Sequence, residues 1–146
     1  MVDRRELRRG LRATWPYLLS HHLPSEYDRC YRLSVWGRSI HLCARCLGIY
    51  VGLSVGLGGL WIGLLSALGV SWIALAPLPA LVDWTVTAVT DRRGLNSVRT
   101  ASGALLGYAY AHGLWRLLGG DLSVTVVGAM YAVVAGGLLY AVGDGP

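Results

Sequence analysis

The feature that most constrains this chain is a succession of apolar stretches, each long enough to cross a lipid bilayer. Residues 47–68 contain no charged side chain, and about twenty such residues in an α-helix span a hydrocarbon core of about 30 Å. Comparable stretches follow at 70–90, 98–118 and 122–142; the second is interrupted by Pro77 and Pro79 and carries Asp83, and the third carries Arg99, His112 and Arg116. Prolines are tolerated in such helices when neighbours take up the carbonyls they leave unbonded. With 54% of its 146 residues hydrophobic and 14% charged, the chain has the balance of a membrane protein and not of a soluble domain.

Charge then orients the spans. Nine of the thirteen arginines precede Leu47. With the N-terminus inside, the inner side collects these nine together with Arg92, Arg93 and Arg99, and the outer side receives Arg116 alone. Such a bias predicts an inner-membrane protein with both termini cytoplasmic. The first forty residues are polar and arginine-rich with no early apolar core, so the first span is expected to act as its own insertion signal. A net charge of +5 confined to one end reads as topology. A phosphate-tracking face would interleave aromatic or base-reading side chains, which the later segments lack, so the expected partner is the lipid bilayer and not nucleic acid.

Before the spans, residues 3–20 place Leu7, Leu11 and Leu18 at helical spacing, with arginines at 4, 5, 8, 9 and 12 on the remaining surface. Asp3 and Glu6 form a potential capping box. The pattern predicts an amphipathic helix on the anionic inner leaflet, limited or kinked by Pro16. The period then changes to short β-prone runs at 31–36 and 39–42, with Gly37 and Arg38 as the turn between them. A small hairpin follows, with Cys30 just before its first strand and Cys43 delivered onto the start of the first span. The expected architecture is an all-α membrane protein: a four-helix transmembrane bundle (43–146) preceded by a cytoplasmic segment (1–42) holding the amphipathic helix and the cysteine-bearing hairpin.

Small residues recur every fourth position in three spans: Gly48, Gly52 and Gly56; Gly103, Gly107 and Ala111; Gly128, Ala132 and Gly136. Such stripes permit close backbone approach, within the bundle or to a membrane partner or second copy.

Three cysteines cannot all pair within one chain, and Cys43 and Cys46 stand in a C-x-x-C spacing. Cys30, Cys43 and Cys46, with His21, His22 or His41 as a fourth donor, have the composition of a tetrahedral Cys3His zinc site. The same C-x-x-C admits a redox pair, because a cysteine at a helix N-terminus near Arg45 gains thiolate stabilisation. A cytoplasmic location and the absence of a thioredoxin-like βαβ pattern weigh against that. Asp83, about two turns into its span, needs a partner, and Arg99 in the first turn of the third span is the expected one. Asn96 or Ser97 is expected to cap that span while the other faces the site. His112 is expected to satisfy an interhelical hydrogen bond.

Cys30 followed by the run LCARCLGIYVG at 42–52 resembles the signature of a prokaryotic membrane-protein family, domain of unknown function 2085. A second block agrees: Asp83 within a span, then Gly94, Asn96, Ser97, Arg99 and Gly103. The resemblance covers roughly residues 20–110 and leaves the N-terminus and last span without motif support. In the family pattern a histidine often follows the first cysteine, where this chain has Tyr31, so His21, His22 or His41 must replace it or the site keeps three protein donors. The resemblance strengthens the site and implies no reaction.

The expected function is a metal-binding or small-ligand-binding membrane protein, an accessory or transport component. Two other classes stay open. One is an enzyme, either a thiol–disulfide oxidoreductase using Cys43 and Cys46 or a metal-dependent enzyme on lipid head groups with Asp83 as acid–base, for which no nucleophile–base constellation is visible. The other is a scaffold subunit held to its partner by glycine faces.

Overall fold

Asp3 starts the first helix by accepting the Arg5 backbone N–H on its carboxylate at 2.9 Å, so α1 (Arg4–Leu19) is capped as its sequence predicts. The structure, a computed structural model, describes residues 3–20, 22–35 and 38–143. Pro16 does not end α1, which runs on to Leu19 and lies against the second strand of the hairpin.

A short 3-10 segment (Pro24–Arg29) leads into β1 (Cys30–Val35), which pairs antiparallel with β2 (Arg38–Cys43). The register differs from the expected one. Arg38 lies in the ladder opposite Val35, so the connection falls at positions 36 and 37, outside the described residues. A two-residue connection suits the twist of paired strands, and it carries the ladder back to its base, where Cys30 stands directly opposite Cys43.

From Cys43 the chain passes without a linker into α2 (Ala44–Trp61). This helix stops well short of residue 68, the expected end of the first span. Gly63 takes φ +71°, the Leu64 N–H bonds the Gly59 carbonyl at 2.9 Å and the Gly63 N–H bonds the Leu60 carbonyl at 3.2 Å. This pair of bonds closes a helix C-terminus through a left-handed glycine, which hydropathy alone does not register.

The second apolar stretch breaks at its prolines into α3 (Val70–Leu75) and α4 (Leu78–Val89). The Tyr131 hydroxyl donates to the Ala74 carbonyl at 2.5 Å, supplying a partner at the break. α5 (Asn96–Leu118) and α6 (Ser123–Gly143) complete the chain.

Among the described residues, three segments are long and apolar enough to cross a membrane: Ala44–Trp61, Val70–Val89 and Ser123–Val142. α5, the expected third of four spans, has the length but not the apolar character, because it carries Arg99, Ser102 and His112. All three are buried inside the protein. The other helices turn apolar side chains outward, as with Val82 and Val86 on α4 and Val126, Met130, Val133 and Leu139 on α6.

α2 and α5 run side by side in the same direction, with Gly48 against Thr100, Gly52 against Ala104 and Gly56 against Ala111. The contact is backbone on backbone: a Cβ at Gly52 or Gly107 would collide with the carbonyl oxygen of Ala104 or Ile49. The first two small-residue stripes therefore pack on each other. The third does not, since a Cβ at Gly128 or Gly136 would meet no atom of the described residues within 4 Å.

Candidate functional site

The site grows from the base of the hairpin. Cross-strand pairing places Cys30 and Cys43 opposite each other, and the C-x-x-C spacing brings Cys46, one helical turn on, back over Cys43. Cys43 is only 2% exposed and Cys30 is also buried. No disulfide joins the three. Hydrogen bonding from the Cys46 side chain, with a further contribution from His22, outweighs burial and holds the Cys43 thiol well below its usual range. Burial pushes the Cys30 thiol up, partly offset by a hydrogen bond to Ser20 at 3.3 Å.

Among the candidate histidines, His22 is the one brought to the cysteines. Its Nε2 lies 3.4 Å from the Cys43 sulfur and its Nδ1 lies 3.3 Å from the Glu26 carboxylate. Glu26 in turn bonds Arg29 at 3.0 Å. The hydrogen bond from His22, ahead of the charge of Arg29, keeps the Glu26 carboxyl below its ordinary value. His41 goes elsewhere: its ring stacks on Tyr27 with centroids 3.8 Å apart. His21 lies outside the described residues. Among the described residues, no three His, Cys, Asp or Glu side chains are already gathered as the ligands of one ion.

Asp83 pairs with Arg45, not with Arg99 as expected. Arg45 reaches it from the first turn of α2, one position before Cys46, so the ion pair ties α4 to the cysteine-bearing helix. The Arg45 Nε is buried without a hydrogen-bond partner. Arg99 is 4% exposed, and its guanidinium is held by neutral acceptors, the Asn96 Oδ1 at 3.1 Å and the Arg93 carbonyl. Gly94 makes this possible. At φ +66° it turns the chain beside the guanidinium, and a Cβ there would lie 3.2 Å from a terminal nitrogen of Arg99.

Asn96 is not a cap. Leu95 occupies that position without a side-chain bond, and the Asn96 amide instead donates to the Asp28 carbonyl at 2.9 Å, fastening α5 to the segment before the hairpin. Tyr31 completes the attachment: its hydroxyl lies 3.0 Å from that of Thr100, which also bonds the Ala44 carbonyl at 3.1 Å.

Glu26, Ser20 and Thr100 escape the sequence reading. Glu26 stands four residues after His22, a spacing that brings side chains together in a helix and was a usable signal. Nothing in the sequence points to Thr100, because its role depends on α5 lying against α2. A cavity of about 410 Å³ opens between these elements, lined among others by His22, Cys43, Arg45, Trp84, Thr87 and Arg99.

Apolar helices that turn their hydrophobic faces outward, joined to a cysteine hairpin docked on buried arginines, define a helical membrane protein. The chain belongs to the family described as "Predicted membrane protein (DUF2085)", whose model matches residues 27–112. That range contains all three cysteines, Arg45, Asp83, Asn96 and Arg99, and begins after His22. No curated protein and no solved structure matches.

Proposed function

We propose that this protein is a four-span inner-membrane protein that holds a zinc-type ion at its cytoplasmic face, with Cys30, Cys43, Cys46 and His22 as ligands. The observation that carries this is the setting of His22, with one ring nitrogen at the Cys43 sulfur and the other at the Glu26 carboxylate. A metal-ligating histidine is oriented in this way by an outer carboxylate, and the three sulfurs supply the rest of a tetrahedral set. Side-chain movements of Cys30 and Cys43 on the hairpin, Cys46 on α2 and His22 before it would have to close the cluster around an ion, whose folding energy would then reinforce the hairpin.

The parallel seam supports four spans. α5 runs alongside α2 from Gly48 against Thr100 to Gly56 against Ala111, so a bilayer that α2 crosses is crossed by α5 as well, with the polar side chains of α5 turned inward. The arginine distribution supports a cytoplasmic hairpin. The lowered thiol of Cys43 beside Cys46 favours a second reading, a thiol–disulfide pair.

Elemental analysis of the purified protein separates the two. One zinc per chain, lost in Cys43→Ser, is the expected result. A metal-free protein whose Cys43 and Cys46 form a disulfide reversibly would overturn the metal site and establish the redox pair.

A further inference from the structure

We infer that the cavity beneath the hairpin is a binding site for a phosphate group, received by Arg99 and Arg45. The cavity is the one that His22, Cys43 and Cys46 also line, so the phosphate would sit beside the proposed ion. The starting point is a charge that the protein leaves open. A buried charge is costly unless it is paired, yet Arg99, 4% exposed, meets only an amide oxygen and a backbone carbonyl, and no carboxylate among the described residues lies within 4 Å of it.

The other ionisable groups around the same cavity are accounted for. Glu26 is shared by His22 and Arg29, Cys43 is engaged by Cys46 and His22, and Arg45 is neutralised by Asp83. Arg99 is left without a carboxylate among the described residues. It belongs to a cavity of about 410 Å³ that could admit a group of that size.

The second observation is on α2. The Arg45 Nε is buried with no hydrogen-bond partner, although the opposite end of the same guanidinium is held by Asp83. Native structures rarely strand a buried donor, and an unobserved ligand is one reason for an exception. Two arginines therefore line one cavity from two helices, Arg99 with an unanswered charge and Arg45 with an unpartnered Nε that its side chain must move to present to the cavity. A further donor on the lining is the Trp84 indole, whereas the Thr87 hydroxyl is already given to the Asp83 carbonyl at 2.8 Å.

Such a wall is rich in donors. A phosphate group brings several strong acceptor oxygens and negative charge together, and the planar fork of arginine matches it. The cavity shares Glu26, Arg29 and Thr87 with a polar recess lined also by Asp28, Asp91, Arg92 and Arg93. The phosphate can come from a lipid head group or from a small soluble phosphate.

The test uses the full-length protein in phosphate-free alkyl maltoside micelles and follows thermal unfolding. Inorganic phosphate is titrated against chloride at equal ionic strength, and in a parallel series phosphatidate or uncharged diacylglycerol is mixed into the micelles. A ligand that binds only the folded state raises the midpoint saturably. Protection by inorganic phosphate to which phosphatidate adds nothing supports a soluble phosphate. Protection by phosphatidate but not diacylglycerol supports a head group.

Arg99→Gln should weaken the response about tenfold or more, as expected for a charge-assisted bond. Thr87→Asp is the second variant. The Thr87 methyl and the Arg99 guanidinium both flank Gly94, so the new carboxylate would supply the missing counter-ion from within and abolish the response. An undiminished response in either variant, or no saturable response of the wild type to either probe, overturns the site.

Discussion

α5 carries an arginine near each of its ends, and the two are treated in opposite ways. At the far end Arg116 is closed on itself: its Nε bonds the Asp121 carboxylate at 2.9 Å, a second nitrogen bonds the same carboxylate, and a third donates to the Leu68 carbonyl at 3.2 Å. Asp121 is in turn held ionised by hydrogen bonds from Ser123, ahead of that from Arg116. Beside it His112, wholly buried, accepts the Leu68 backbone N–H at 3.1 Å and ties the loop after α2 to α5. At the hairpin end Arg99 is more deeply buried and has no carboxylate within 4 Å among the described residues. One end is a structural clasp, in which the His112 Nε2 is left without a hydrogen-bond partner among the described residues. The other keeps a charge, a donor and a set of thiols around a cavity, which is the arrangement of a site that expects something from outside.

The comparison depends on both ends being hung from the α2–α5 seam, and the seam is the place to break it. Gly52→Val should have the largest effect, about 3 kcal/mol or more, because the added carbons meet the Ala104 carbonyl and backbone cannot rotate out of the way. Loss of a cooperative thermal transition in detergent would show it, whereas Gly128→Ala on the open face of α6 should leave the transition in place.

The two carboxylates come next. Asp83→Asn strips Arg45 of its counter-ion in a mostly buried setting and should cost about 2–3 kcal/mol, toward the lower end for a broken buried pair because Arg45 keeps some exposure. Asp121→Asn removes the equivalent group from a pair that is about a third exposed, and the unfolding midpoint should move less. Equal losses at the two ends would erase the distinction between clasp and site.

The smallest effect is expected from Tyr31→Phe, which deletes one hydroxyl contact with Thr100 and should cost about 1 kcal/mol in the same unfolding assay. A larger loss, with the hairpin becoming accessible to thiol reagents, would show that this contact is the principal latch between hairpin and bundle.

Much of this was legible beforehand because it follows from local periodicity. Small residues at every fourth position of 48–56 and 103–111 announced close helix packing, and those two stripes do meet. The C-x-x-C spacing placed Cys46 one turn from Cys43 whatever else the fold did. Two matters were not legible. Glycines within an apolar run serve packing and helix termination alike, so Gly63 gave no sign that it, and not residue 68, closes α2. Small-residue spacing also could not show that the stripe on α6 would remain open.

The membrane class, the helices, the hairpin and the family are properties of this sequence by itself, since hydropathy, side-chain period and a contiguous motif are read along one chain. The partner of Asp83 was decided only in three dimensions. Arg45 and Arg99 stand at comparable positions in the first turns of two parallel helices, and which guanidinium reaches the carboxylate depends on how α4 is rotated and set in height against both. That choice leaves Arg99 buried without a carboxylate, a feature no spacing in the sequence could have announced.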